Sequence, residues 1–216
     1  VGPMIAAKRF AEGAEASVEP GSRLRVELFG SLGHTVRGHG TGDAVLLGLC
    51  GHEPATLDPD AVRGIVSKVH NDRSVVFSGG ATVDIHPDKD LIFHKRSRLP
   101  HHSNGMRFTL FGASGSEVAS KDYYSVGGGF VVNADEAAGD RIVADETPLP
   151  LHFASGDELL QLCDEHDLTI AELMMVNEDT WRSRDETVSG LMAIWEAMQS
   201  CVERGVGSDG FLPGAL

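Results

Sequence analysis

The chain has 216 residues, of which 41% are hydrophobic, and its 32 acidic and 18 basic residues give a formal net charge of −14. This length suffices for one large domain or two small ones, and the composition argues against long disordered tracts. The negative charge argues against nucleic acid as a partner, because the basic run at residues 95–98 is short and is predicted to be a solvated loop.

Membrane association and a disulfide framework are also not expected. No apolar stretch approaches the length of a membrane span, and no charged and then apolar leader opens the chain. The three cysteines, Cys50, Cys163 and Cys201, are widely separated and odd in number. This usage favours reduced, buried thiols in a cytoplasmic protein.

Both ends of the sequence predict a fragment. Residues 1–4 lack an initiator Met and enter a helical pattern without a capping residue, although Pro3 suits a first helical turn. Residues 210–216 end in an apolar loop.

The first 150 residues predict a sheet covered by two or three helices. Alternation of apolar and charged residues predicts a strand over 23–29, and apolar spacing predicts helices over 43–49 and 59–70, the second capped by Asp58. A mixed α/β or an α+β domain would have this pattern, and α+β is our expectation. Further β-rich runs occur at 74–78, 82–85, 90–94, 106–111, 117–124 and 129–133.

Residues 151–216 are predicted to be helical. The segments 155–158 and 169–172 have the pattern of a capping box, which opens a helix. A third helix is predicted over about 183–203, where apolar residues recur every three or four positions. Its long apolar stripe needs a partner surface.

The first candidate site is the loop 38–43, between a predicted strand and a predicted helix. Its three glycines let the backbone approach a small ligand, and the helix start offers free N–H groups to an anion such as a carboxylate. His39 could act as a base, since imidazole titrates near neutral pH. The alternative is a flexible turn with an exposed histidine.

The second candidate site is the loop 99–106. Asn104 carries donors and an acceptor for an amino-acid substrate, and His102 could orient a ligand or exchange a proton. The adjacent pair of His101 and His102 is weak evidence for zinc, because neighbouring residues of an extended chain point to opposite faces. No metal site is therefore predicted.

Several motifs together resemble one family, the bacterial iron–sulfur L-serine dehydratases. The resemblance runs in order along the whole chain. The motifs are 1–4, 30–32, 38–41, 102–108, 123–131, 177–178, 181–182, 194–198 and 212–214.

The resemblance implies both a domain plan and a reaction. It implies a β domain over 1–150, similar to the allosteric substrate-binding domain of some phosphoglycerate dehydrogenases. Residues 151–216 would be the truncated start of a helical α domain. The reaction implied is the removal of water from L-serine, followed by hydrolysis to pyruvate and ammonia.

By motif match, the resemblance also implies roles for five residues. His39 and His102 would be catalytic and handle protons, with His39 as the base for the α-proton. Gly40, Thr41 and Asn104 would bind the substrate.

A 4Fe–4S cluster, held by cysteines of a C-terminal α domain, is implied for the full-length enzyme. No cofactor and no metal are expected in this chain, which is predicted to be inactive alone. The expected partners are L-serine, the missing α domain and a second copy in a homodimer.

The chain departs from the family pattern in three places. Gly42 separates Thr41 from Asp43, Ser103 stands where Pro is usual, and no Ser-Ser-His-Thr segment precedes Val1. One alternative function is a regulatory module for amino-acid binding and dimerisation, without catalytic residues. Another is a scaffold whose glycine loops are structural.

Overall fold

The computed structural model describes residues 1–35, 40–138 and 147–210. These residues form two compact units, one up to residue 138 and one from residue 147. The first unit contains a mixed sheet with helices and the second contains helices, which confirms the α+β class. The assignment of 1–150 to a β domain and 151–216 to an α domain, and the likeness to a phosphoglycerate dehydrogenase domain, stay predictions.

The sheet unit contains every strand that the sequence predicts, together with two short helices, α4 and α5, that it does not. Helix α3 begins three residues later than expected, since the Asp58 carboxylate accepts from the Asp60 N–H in a preceding turn (2.9 Å). The elements are α1 (Gly2–Ala14), β1 (Arg23–Phe29), α2 (Thr41–Leu49), α3 (Val62–Asp72), β2 (Ser74–Val76), β3 (Thr82–Asp84), α4 (Pro87–Asp90), β4 (Leu91–His94), β5 (Gly105–Phe111), β6 (Glu117–Gly127), β7 (Phe130–Asn133) and α5 (Ala134–Ala138).

The strands described form one seven-stranded sheet with β1 near its centre. Its order is β2-β3-β1-β5-β6-β7, and β4 also pairs with β1. Strands β3 and β4 both run parallel to β1, whereas β5 pairs with it antiparallel. Since β5 occupies one edge of β1, β3 and β4 follow each other along the opposite edge, with α4 between them.

Buried Asp90 fixes the break between β3 and β4. Its carboxylate accepts a hydrogen bond from the His86 N–H at 2.8 Å and forms an ion pair with the Arg23 guanidinium. The hydrogen bond to Asp90 raises the pKa of Arg23 above its usual value. This ion pair ties the start of β1 to the start of β4.

One face of the sheet packs against helices α1 and α2. The alternation in β1 places Leu24, Val26 and Leu28 on this face, and all three are fully buried. Phe10 of α1 stacks on Phe108 of β5, with 5.3 Å between the ring centroids. Burial of each such side chain contributes about 1.5–3 kcal/mol to the stability of the fold.

The helical unit contains three helices, α6 (Gly156–His166), α7 (Ile170–Glu178) and α8 (Arg184–Val206). The expected capping box at Thr169 is confirmed, and Ser183 forms another one. The box expected at Ser155 is incomplete: its hydroxyl accepts from the Glu158 N–H, but the Glu158 carboxylate accepts from the preceding residue. Ser155 has a φ of −142°, against −73° and −66° at the other two caps, which turns its own N–H away.

The described helices include none that is long and apolar enough to cross a membrane.

Candidate active site

The loop that carries His102 and Asn104 lies at the carboxyl end of β1. Strand β4 lies on one side of β1 and also ends here, at His94. Strand β5 lies on the other side and begins here, at Gly105, which pairs with Tyr124 near the end of β6. Four strands therefore bring their connecting loops to one edge of the sheet.

Gly30 locks two of these loops together. Its φ is +56°, a left-handed conformation that glycine adopts without strain. The Gly30 N–H donates to the Ser97 carbonyl and the Ser31 N–H donates to the Ser103 carbonyl, both at 2.9 Å. A Cβ atom at Gly30 would lie 2.2 Å from the Ser103 carbonyl oxygen, so no other residue fits here.

His102, Asn104 and Ser125 form a hydrogen-bonded group at the start of β5. The Asn104 N–H donates to Nδ1 of His102 at 3.1 Å, and the Asn104 side-chain amide donates to the Ser125 carbonyl at 3.2 Å. The Ser125 N–H donates to the Asn104 carbonyl at 3.0 Å. These bonds join the loop 99–104 to strand β6.

The bond to Nδ1 determines which nitrogen of His102 carries the proton. A nitrogen that accepts a hydrogen bond uses its lone pair, so the neutral ring has its hydrogen on Nε2. In this geometry His102 offers a ligand an N–H donor rather than a basic nitrogen.

A hydrogen bond likewise fixes the orientation of the Asn104 side-chain amide. Only its NH₂ group can donate to the Ser125 carbonyl, which leaves Oδ1 as the free acceptor. His102 and Asn104 therefore present one donor and one acceptor from the same loop, a combination suited to a ligand that has both an anionic and an amino group.

Gly40 and Thr41 lie at the start of α2, on the other side of β1. Gly40 is the N-cap residue and has a φ of +63°, and Thr41 is buried. The two residues line a cavity of about 470 Å³, whose other walls include His70, Asp88 and Phe93 of β4. The first N–H groups of α2 have no partner within the helix and favour an anionic group.

The structure brings the predicted site residues together in two groups. His102 and Asn104 form one, Gly40 and Thr41 the other, and within the described ranges no hydrogen bond or ion pair joins the groups. The first group lies at the carboxyl end of β1, on the β5 side, whereas the second lines a cavity beside α4 and the start of β4. His39 lies outside the described residues.

His94 and Tyr124, at the same edge of the sheet, have different surroundings. His94 bonds to the Glu27 carboxylate through Nε2 at 2.8 Å, and its ring stacks on Phe29 with 4.6 Å between centroids. Tyr124 is fully buried, and its ring meets the His101 ring edge-on with 5.6 Å between the centroids. Burial raises the pKa of Tyr124 above its usual 10.0, and the Asp122 carboxylate adds to this.

The described residues do not fit an iron–sulfur cluster. They include no group of three or more His, Cys, Asp or Glu side chains placed to hold a metal ion. Cys50 follows α2 in the sheet unit, Cys163 is buried in α6, and Cys201 is exposed on α8. Cys50 has a raised pKa, mainly because it is buried, which disfavours the thiolate that a metal would need.

Ser125 and Gly2, which the sequence analysis placed in family motifs but not among the site residues, adjoin the site. A Cβ atom at Gly2 would lie 2.3 Å from the Ser125 hydroxyl oxygen, so the start of α1 closely approaches this end of β6. The signal available in the sequence was the glycine run at 127–129, which marks close backbone contacts but not which strands make them.

Comparison with known proteins identifies the family. The profile described as "Serine dehydratase beta chain" matches residues 1–136, which is most of the sheet unit. The chain belongs to the serine dehydratase beta chain family. This confirms the resemblance read from the motifs around Gly30, His102 and Tyr124.

Curated relatives align with this serine dehydratase chain over its whole length. An L-serine dehydratase of Streptomyces coelicolor is 45% identical, and L-serine dehydratase TdcG of Escherichia coli is 41% identical. An L-serine dehydratase of Mycobacterium tuberculosis is 34% identical. The alignments cover 100% of this chain but 48%, 47% and 47% of these relatives. The chain therefore spans about half the length of the curated relatives it matches.

Proposed function

We propose that this chain supplies the substrate-binding and proton-transfer groups of an enzyme that converts L-serine to pyruvate and ammonia. The observation that carries the proposal is the donor and acceptor pair of His102 and Asn104, at the sheet edge of a serine dehydratase family member.

The polar groups at the start of β5 match the polar groups of L-serine. The Nε2–H group of His102 donates to an oxygen of the substrate, and Oδ1 of Asn104 accepts from its amino group. The free N–H groups of α2 and the Thr41 hydroxyl, next to Gly40, bind the carboxylate on the other side of β1.

His39 completes the proposed chemistry as the base. It removes the α-proton of L-serine while the bond between Cβ and the hydroxyl oxygen breaks, and the departing hydroxide takes that proton from the His39 imidazolium and leaves as water. The resulting enamine becomes an imine, and a water molecule hydrolyses it to pyruvate and ammonia. The hydrogen bond that His102 accepts at Nδ1 supports this division, since His102 then donates where His39 accepts.

The resemblance further implies a 4Fe–4S cluster, the cysteine usage favours a cytoplasmic protein, and we expect a homodimer. Because the described residues offer no ligand set for the cluster, we assign it to a C-terminal α domain outside this chain and derive no step from it. The relatives, about twice as long, have room for such a domain. We expect this chain to be inactive without it.

The test replaces His39 in this chain joined to the remaining half of the Streptomyces coelicolor relative. We expect His39→Ala to lower kcat for pyruvate formation from L-serine by about 10²–10⁴-fold, the usual contribution of a general base. His152→Ala, at an exposed position of the helical unit, is the matched control and should retain full turnover. Full turnover by His39→Ala would show that another group is the base.

One observation favours the regulatory alternative. The face of the sheet opposite α1 and α2 has a groove of about 660 Å³, lined by both cations and anions, including Arg25, Arg107 and Asp122. Arg107 and Asp122 pair with each other there, so a zwitterion such as an amino acid would bind through Arg25 and the further acidic residues of the groove. L-serine binding that survives His102→Asn but not Arg25→Ala, measured by calorimetry on the chain, would support this function.

A further inference from the structure

The helical unit exposes most of its large apolar side chains. Twelve of them are exposed between residues 147 and 210, whereas the buried apolar side chains of the unit are Cys163 and Leu173. Eight of the exposed ones lie on helix α8 alone. A monomeric protein rarely leaves so large an apolar surface in water, so this one marks an interface.

The exposed side chains of α8 have the spacing of a helix-packing seam. Five of them recur at alternating intervals of three and four residues, which places them in one line along the helix. The seam consists of Val188, Leu191, Trp195, Met198 and Val202. It is about 21 Å long at a rise of about 1.5 Å per residue, enough to pack against a helix of some four turns.

Met192 and Ile194 extend the seam on both of its sides. At about 100° per residue the apolar face then covers roughly 160° of the helix, more than the stripe of a helix that packs on one neighbour. The acidic residues Glu196 and Glu203 fall on the remaining arc. Such a helix is typical of a bundle in which it contacts at least two others.

We propose that this face of α8 is the docking surface for helices in the half of the polypeptide that the relatives carry beyond the region matched here. The relatives align with this chain end to end and contain about as many residues again. The proposal rests on the proposed function in one respect, since both require the second half of the polypeptide.

Charge disfavours a second copy of this chain as the occupant. Residues 147–210 contain 13 acidic and 3 basic residues, a net charge of −10. Two such units packed along α8 would bring like charges together, which opposes association. The occupant is therefore expected to present apolar helices with basic residues at their flanks.

Coexpression of this chain with the remaining half of the Streptomyces coelicolor relative, as a separate polypeptide, tests the proposal. We expect a 1:1 complex by size-exclusion chromatography with light scattering. Trp195→Glu should weaken it by about 30-fold or more, as expected for loss of a buried Trp at an interface. Ser200→Glu adds the same charge on the polar arc of α8 and should change the affinity less than about twofold.

Three results would overturn the proposal. They are the absence of a complex, equal affinity of Trp195→Glu and the unchanged chain, and a homodimer of the chain that Trp195→Glu dissociates. Circular dichroism of both variants verifies that α8 remains helical. The assay needs no turnover, so a complex that forms but leaves L-serine intact would refute the proposed function and keep the docking surface.

Discussion

At the scale of single residues, His102 and Asn104 in the loop before β5 each have a defined hydrogen-bond partner. His102 accepts through Nδ1 from the Asn104 N–H, and Asn104 donates its amide to the Ser125 carbonyl. These bonds leave one donor and one acceptor free. The sequence predicted both residues as site residues, but it could not predict the tautomer, because that depends on where the backbone of the loop turns.

The donor role of His102 predicts different outcomes for two replacements. His102→Asn removes the group at the Nε2 position, whereas His102→Gln keeps an N–H donor near it. Loss of a hydrogen bond to a charged group costs about 1.5–3 kcal/mol, so we expect kcat/KM for L-serine to fall by about 10–100-fold in the Asn variant. The Gln variant should recover a large part of this loss.

The measurement is steady-state pyruvate formation by the two His102 variants of the chain joined to the remaining half of the relative. If His102 were a base, glutamine would be no better than asparagine, because neither amide accepts a proton near neutral pH. Equal activities of the two variants would therefore contradict the donor role.

The only two tyrosines of the chain, Tyr123 and Tyr124, are adjacent and buried. Burial raises the pKa of each phenol above its usual 10.0. The unfolded chain then loses these protons at lower pH than the folded chain. The stability that this shift contributes is present below pH 10.0 and is lost as the pH rises toward the folded-state pKa values.

Absorbance of phenolate during an alkaline titration checks this prediction, since no other residue contributes tyrosinate. We expect the midpoint of the folded chain to lie above 10.0 and that of the urea-unfolded chain to lie near it. Titration of the Tyr123→Phe and Tyr124→Phe variants assigns a midpoint to each phenol. A folded midpoint equal to the unfolded one would show that both rings are in contact with water.

At the scale of elements, local pattern predicted the strands well and their pairing not at all. Alternation gave the bounds of β1, and Thr169 capped α7 as expected. Helix α4 was missed because it depends on buried Asp90, whose partner Arg23 is 67 residues away. Pairing of β4 with β1, and the contact of Ser125 with Asn104, likewise depend on distant parts of the chain.

Packing of α1 on α2 depends on Gly48. A Cβ atom there would lie 2.1 Å from the Met4 carbonyl oxygen and 2.9 Å from the Ala7 side chain. We expect Gly48→Ala to lower the free energy of unfolding by about 1–3 kcal/mol, the usual cost of overpacking a core.

Gly64 in α3 is the matched control, since a Cβ atom there would meet nothing within 4 Å. Gly64→Ala should raise the free energy of unfolding by about 0.5–1 kcal/mol through helix propensity. Urea unfolding of both variants measures whether each substitution lowers or raises the free energy of unfolding. A stabilising Gly48→Ala would show that α1 and α2 do not pack as closely as described.

At the scale of the whole molecule, the two units differ in how much of their apolar surface they bury. The sheet unit has a continuous core formed by α1, α2 and the inner face of the sheet. The helical unit buries few apolar side chains and exposes many. The family profile falls within the sheet unit, while the alignments with L-serine dehydratases extend through both.

The resemblance of several motifs predicted the family, and the apolar periodicity predicted the fold class, because both are read from local sequence. The joint position of the two halves of the site was not predictable in the same way. Thr41 and Asn104 lie on opposite sides of β1 because β4 and β5 flank that strand. That order is set by long-range strand pairing.

The most direct test of the account is the rate of pyruvate formation from L-serine by the purified, iron-free 216-residue chain, alone and joined to the remaining half of the Streptomyces coelicolor relative. We predict no turnover by the chain alone and clear turnover by the joined protein once iron and sulfide are restored. Pyruvate formation by the unaided chain would contradict the assignment of this chain to binding and proton transfer alone.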